Sequence, residues 1–378
     1  MHTPALKKAF IFILAVLCVI GLIMVYSSSY LLAREIYGAP TYFFYKQIFF
    51  LSFGLLLGLT VSKIKITFWL KVAPYFQFII FALILLTLIP GFGAAVKGAN
   101  RWIQFGPVNL QPGEFVKLGV LLNAPYFFEN YDQLSLKEKW IRLGIIFLPM
   151  LALIKQPDFG SFAISLFIFG FMAFISSFSR KKLFSLIGLL FVSGVIILIS
   201  EPYRIKRLTA YLDPWKNSKT TGFQIIQSLL GFANGSFFGL GLGNGNEKLF
   251  YLPEAHNDFI FSVLAEELGF VGVTALILLF VAFIYLGFKI ALSLRDKYCY
   301  LLASTIIFSI GLQALINMSV VLGLLPTKGL NLPFVSYGGS SMVSNFLAIG
   351  VFFSCAKFED FSTERPFKNS NTFNWKIS

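Results

Sequence analysis

The sequence predicts an all-α polytopic membrane protein of about ten transmembrane helices, with a large extracytoplasmic loop between the seventh and the eighth. Composition is the first observation behind this. Hydrophobic residues make up 57% of the 378 residues and aromatics 17%, against roughly 45 to 50% apolar content in soluble domains. The second is length. A span needs about 20 mostly apolar residues, and the stretches that approach this are 9–31, 43–62, 72–90, 113–129, 141–154, 157–178, 182–200, 258–292, 299–324 and 338–356. The fourth, fifth and tenth are short, and the eighth is long with a polar start.

The third observation is charge bias. With both termini inside, the inner loops and tails hold Lys7, Lys8, Lys63, Lys65, Lys71, Lys137, Lys139, Arg142, Arg180, Lys181, Lys182, Lys289, Arg295, Lys297, Lys357, Arg365, Lys368 and Lys376. These are 18 of the 31 Lys and Arg. Positive residues stay on the cytoplasmic side, so this bias and the even number of spans agree. Residues 1–356 then form one membrane domain, its large outer loop covering about 200–257, and 357–378 read as a polar, disordered cytoplasmic tail. The first stretch is too long for the apolar core of a cleaved signal peptide and reads as a retained span.

The net charge of +14 raises the question of a nucleic-acid partner. The positives are scattered over separate inner segments with no basic domain to present them, so anionic lipid headgroups are the expected counterions. Cys18, Cys299 and Cys355 fall in or near spans, and no disulfide framework is encoded.

Four polar islands interrupt the apolar pattern, all expected on the outer face. The first runs from Lys97-Gly98-Ala99-Asn100-Arg101-Trp102-Ile103 through Gln111-Pro112-Gly113-Glu114 to Lys117. Pro112 and Gly113 read as a helix start, which puts Glu114 in the first turn and Lys117 three residues on along the same face. Arg101 and Lys117 would flank an outward-facing pocket; the alternative is a Glu114–Lys117 pair that neutralises itself inside the bundle. The second island is Lys155-Gln156-Pro157-Asp158-Phe159-Gly160, where Pro157 suits the first helical position and Asp158 the positive helix end.

The third island begins Arg204-Ile205-Lys206-Arg207, passes Asp213-Pro214-Trp215 and enters a run containing Gly231, Gly235, Gly239, Gly241, Gly243 and Gly245. The run lacks the Lys-Ser/Thr ending of a nucleotide-binding loop, which argues against an ATP site. Glycines at this density let backbone approach another surface closely, and with Phe232, Phe237, Phe238 and Leu240 among them a packed cap is favoured over a linker. The fourth is Leu325 to Ser341, a shaped loop built on Pro326, Gly329 and Pro333 that carries Lys328 and Ser336, both taken as substrate-binding candidates.

Between the third and fourth islands, Leu252 to Phe261 followed by Glu266 and Glu267 concentrates four carboxylates and His256 at a membrane boundary, where ionisable groups mark function. A helix starting near Asn257 would place Asp258, Ser262 and Glu266 along one face, with Asp258 at the mouth. Transfer at a sugar carbon with inversion needs one base for the acceptor hydroxyl, and a diphosphate leaving group needs little acid help. Asp258 is the candidate base. Arg101, Lys117 and one or more of Arg204, Lys206 and Arg207 would hold the diphosphate. Glu254 and Glu267 read equally well as structural. His256 and Asp258 lack an evident third ligand for a tight metal site, and no cofactor is expected to bind tightly; a Mg²⁺ held loosely between carboxylate and diphosphate stays open.

These islands, in this order, resemble the SEDS family of bacterial membrane proteins. The resemblance rests on Val25-Tyr26-Ser27-Ser28-Ser29, the Lys97 to Ile103 and Gln111 to Lys117 segments, Gln156-Pro157-Asp158-Phe159-Gly160, Asp213-Pro214-Trp215, Leu252 to Gly269 and Pro326 to Ser341. It spans nearly the whole chain. It implies a ten-span fold and peptidoglycan glycosyltransferase activity on lipid II, the undecaprenyl-diphosphate disaccharide-peptide, in the outer leaflet of the bacterial inner membrane. It also implies a class B penicillin-binding protein transpeptidase as partner and, for the division branch, other divisome proteins and a septal location.

On the matching positions, Asp258 is similar to the family's essential outer-loop aspartate, and Arg101, Glu114 and Lys117 to its pocket. Pro326-Thr327-Lys328-Gly329-Leu330 looks like the division branch more than the elongation branch. Gly113, Asn257, Ser236 and Leu240 depart from the family pattern. Two other classes stay in view: a flippase for the lipid-linked precursor, which should carry ionisable residues at mid-membrane depth, and a non-catalytic scaffold for the transpeptidase.

Overall fold

The computed structural model describes residues 3–363, apart from 91, 97, 98, 107, 186, 187, 189–191, 193, 195–210, 212, 219–221, 247–251 and 328. Three helices open the chain, α1 (Thr3–Tyr37), α2 (Tyr42–Val61) and α3 (Ile66–Leu88). An antiparallel meander of β1 (Gly93–Val96), β2 (Ala99–Phe105) and β3 (Val108–Leu110) follows. Next come α4 (Gly113–Glu129), α5 (Leu136–Lys155) and α6 (Phe159–Ile175). The chain closes with α7 (Phe223–Gly235), α8 (Ile260–Ala291), α9 (Lys297–Val321) and α10 (Gly339–Thr363).

Nine of the ten expected spans are thus helices, while the seventh, 182–200, lies mostly outside the described residues. Among the described helices, six are long and apolar enough to cross a membrane, namely α1, α2, α3, α8, α9 and α10.

Two expected helix starts need correction. α6 begins one residue after Asp158, so Asp158 caps the helix and Pro157 precedes the cap. Asp158 accepts from the Ser161 N–H at 3.1 Å and the Ser161 hydroxyl at 2.9 Å, satisfying backbone that a helix end otherwise leaves bare. α8 begins at Ile260 rather than Asn257. Asp258 therefore stands in the turn before the helix, and only Ser262 and Glu266 share its face.

α8 is also two helices. Gly269, at φ 64° and ψ −163°, breaks it into an arm of residues 260–268 and a longer part of residues 270–291. The longer part alone, at about 1.5 Å per residue, suffices to cross a bilayer. Such a break strands carbonyls at the end of one helix and N–H groups at the start of the next. The glycine-rich run satisfies both sets. Leu240 and Gly241 N–H donate to the Glu266 and Glu267 carbonyls at 3.0 and 2.9 Å, and Phe270 and Val271 N–H donate to the Ser236 and Phe237 carbonyls at 3.0 and 3.2 Å. Contact this close requires bare backbone: a Cβ on Gly235 would lie 2.0 Å from the Ala265 carbonyl oxygen, and one on Gly239 2.2 Å from that of Glu267.

Small residues set the other main contact as well. Gly54 and Gly58 of α2 lie against Phe346 of α10, and Gly350 against Gly58 and Val61, the close approach that membrane helices use where the hydrophobic effect supplies no drive. The loop from Leu325 to Gly338 starts exposed at Leu325 and enters the bundle with Leu332 to Ser336. Phe334 and Val335 reach Gly21, near the middle of α1, and Phe334 packs on Phe283 and Phe346. Irregular backbone at such depth is tolerated where protein buries it, as it does Leu332 to Ser336.

Candidate active site

The polar islands converge at one end of the bundle. Arg101 on β2 donates from Nε to the Gln156 carbonyl at 2.8 Å and from Nη2 to the Pro157 carbonyl at 2.6 Å. The Gln111 N–H donates to the Ser340 hydroxyl at 2.9 Å, and the Gln111 amide to Asp158 at 3.2 Å. The meander, the α5–α6 turn and the start of α10 are therefore one polar joint. In this joint Arg101 is a brace, its guanidinium turned to main-chain carbonyls.

α4 starts where the Pro112-Gly113 pair puts it, and Lys117 donates to Glu114 at 3.0 Å and to the Gln313 amide oxygen at 2.8 Å, all three buried. The self-neutralising alternative for Glu114 and Lys117 describes this geometry. Losing one partner strands a charge in the bundle, which costs about 3–5 kcal/mol. Lys117→Met is expected to lower the thermal unfolding temperature of the detergent-purified protein sharply, and adding Glu114→Gln to recover part of the loss.

Asp258 is half-buried in the Leu252–Phe259 turn. Its carboxylate faces Gly329, where a Cβ would come within 3.2 Å of Asp258 Oδ2. Its main-chain carbonyl accepts from Asn317 Nδ2 at 2.8 Å. The turn is tied internally by the Asn257 amide on the Glu254 carboxylate. It is tied to the entering loop by the Tyr337 N–H on the His256 carbonyl at 3.0 Å. The His256 ring is buried between Phe43 and Tyr337.

Glu266 and Glu267 are both fully buried. Glu266 accepts from the Asn246 N–H at 2.9 Å, and Glu267 from the Ser27 hydroxyl of α1 at 2.7 Å. Ser336 is also buried, its hydroxyl accepting from the Leu332 N–H at 2.8 Å. Arg204, Lys206, Arg207 and Lys328 lie outside the described residues.

The structure thus brings Asp258 together with Gly329 and the turn that holds His256. Lys117 joins that group through Gln313 and the entering loop, whose Asn331 carbonyl accepts from Gln313 at 2.9 Å. Arg101 stands at the neighbouring joint. The sequence reading missed Gln313 and Asn317, one helical turn apart on α9. Their signal was two amides inside an apolar span, where polar groups need a partner.

A family profile described as a cell cycle protein, FtsW/RodA/SpoVE, matches residues 7–360. The chain belongs to this family. The probable peptidoglycan glycosyltransferase FtsW of Thioalkalivibrio sp. is 41% identical over 344 residues, covering 89% of this chain and 86% of that protein. Stage V sporulation protein E of Bacillus subtilis is 38% identical over 352 residues, covering 92% and 96%.

Among solved structures, a chain from work on the structural coordination of polymerization and crosslinking by a peptidoglycan synthase complex superposes with TM-score 0.73 at 26% identity, covering 93% of this chain and 97% of that one. An aspartate-to-alanine variant of the Thermus thermophilus rod shape determining protein RodA superposes at 0.67 with 25% identity, over 93% and 97%. These relatives and structures match 89–93% of the chain.

Proposed function

We propose that this chain is a peptidoglycan glycosyltransferase of the division type that polymerises lipid II at the outer leaflet, with Asp258 as general base. The observation that carries it is the placement of Asp258: a half-buried carboxylate in a braced turn, opposite the bare backbone of Gly329, at the end of the bundle where the polar islands meet. Similarity to proteins named as probable peptidoglycan glycosyltransferases supports the reaction class.

In the proposed step the acceptor sugar hydroxyl gives its proton to the Asp258 carboxylate as its oxygen attacks the anomeric carbon of the donor. The bond from that carbon to the diphosphate breaks, the undecaprenyl diphosphate leaves, and the new glycosidic bond is inverted. Arg204, Lys206 and Arg207 of the outer loop, with Lys328 of the loop before α10, are the proposed partners of the diphosphate. In the described structure Arg101 and Lys117 already hold carbonyl, amide and carboxylate groups, so their role in the pocket is to shape it. A Mg²⁺, where one takes part, would be held by Asp258 together with the diphosphate, supplying charge neutralisation as the leaving group departs.

A class B penicillin-binding protein is the proposed partner, supported by the similarity to a chain of a peptidoglycan synthase complex. With the positive loops in the cytoplasm, both termini lie inside. A fluorescent fusion expressed at native level is expected at the division septum. A signal confined to the side wall would assign the chain to the elongation branch instead.

A further inference from the structure

The turn that carries Asp258 leads into α8 through Phe259. Phe259, the residue before the first turn of α8, has no polar side chain to cap it, and the bond that opens the helix there runs from the Ser262 N–H to the Phe259 carbonyl at 2.9 Å. The Asp258 carbonyl is turned instead toward α9. There it meets the amide of Asn317, a side chain only 2% exposed, whose Nδ2 donates to it at 2.8 Å. The same Nδ2 donates to the Leu330 carbonyl at 2.6 Å. Leu330 follows Gly329, the residue whose backbone faces the Asp258 carboxylate. One buried amide therefore holds both walls of the pocket, the turn that bears the carboxylate and the strand of loop opposite it.

Gln313 repeats the arrangement one turn away. It donates to the Asn331 carbonyl at 2.9 Å and accepts from Lys117 at 2.8 Å. Consecutive carbonyls of the entering loop are thus gripped by two amides on one face of α9, with Asp258 at one end of the chain of bonds and the Glu114–Lys117 pair at the other.

We infer that Asn317 is a positioning residue for the reaction: it fixes the distance between the Asp258 carboxylate and the Gly329 backbone, and so the space in which the acceptor hydroxyl meets its base. The inference rests on the reading of Asp258 as that base. An amide suits the task because both acceptors are carbonyls. An oxygen in place of Nδ2 would repel the two together, and leaving buried carbonyls unmatched is disfavoured. A misplacement of about 1 Å at a reacting group is enough to lower a rate substantially.

The test uses the full chain bound to its cognate transpeptidase and measures glycan polymerisation from lipid II at varied substrate concentration. Asn317→Ala is expected to lower kcat at least tenfold with KM changed less than threefold. Asn317→Asp, which keeps the size and shape, should behave alike and serves if the alanine variant does not fold. Asn123→Ala is the matched control. That amide is also buried and also donates to two carbonyls, of Ala73 and Gly119 at 3.0 and 2.9 Å, but it joins α3 to α4. Its kcat should stay within threefold of wild type.

Wild-type kcat in both Asn317 variants, or an equal loss in Asn123→Ala, would overturn the positioning role. Asp258→Asn run beside them separates this from the underlying reading. An inactive Asp258→Asn with a fully active Asn317→Ala removes Asn317 alone, whereas an active Asp258→Asn removes the base itself.

Discussion

Asp258→Asn is expected to abolish glycan polymerisation while leaving the protein folded and bound to its partner. The substitution is nearly isosteric, and the turn is held by main-chain ties that it leaves in place: the Asp258 carbonyl is held by Asn317, and the neighbouring His256 carbonyl by the Tyr337 N–H. The amide cannot take a proton from the acceptor hydroxyl. General-base catalysis contributes about 10²–10⁴-fold, so residual activity should fall by at least the lower figure in a product gel. Co-purification of the transpeptidase and an unchanged unfolding temperature would show that chemistry alone was lost.

The second large effect is on structure. Gly239→Val is expected to destabilise the protein by about 3 kcal/mol or more, combining a left-handed backbone that a β-branched residue resists with forced displacement of packed backbone. Gly239 sits at φ +79°, and its missing Cβ would fall 2.2 Å from the Glu267 carbonyl oxygen. Moving it apart from α8 uncovers the carbonyls and N–H groups stranded by the Gly269 break. Gly243→Val is the contrast. Gly243 has φ +85° but no atom within 4 Å of its missing Cβ, so the variant should lose only the conformational part, about 1–2 kcal/mol. Thermal unfolding of both in one detergent checks the order. Equal losses would mean that the close approach to α8 carries no stability.

Much of the architecture was legible because span formation depends on run length and charge placement, which a sequence displays directly. Pro112-Gly113 marked the start of α4 through a backbone rule, and the Glu114–Lys117 spacing gave their contact. What stayed hidden depends on partners far away in the chain. The break at Gly269 is invisible in an apolar run, since its orphaned groups are satisfied by residues 236–241. The β-meander rests on three short strands, where Arg101, Trp102, Ile103 and Gln104 offered only a brief alternation. The depth of the Leu325–Gly338 loop follows from Gly21, whose bare backbone lets Phe334 approach. Asn317 and Gln313 are not legible because the carbonyls they hold belong to the main chain, which residues of any kind carry.

The most direct measurement is polymerisation of lipid II by the purified chain in complex with its cognate class B transpeptidase, with Mg²⁺ supplied and a penicillin present to suppress crosslinking. The account predicts glycan strands that lengthen with time from the wild-type complex. No strands from a folded, partner-bound wild-type protein would contradict it, and transport of labelled lipid II across vesicles by that same protein would then make it a flippase.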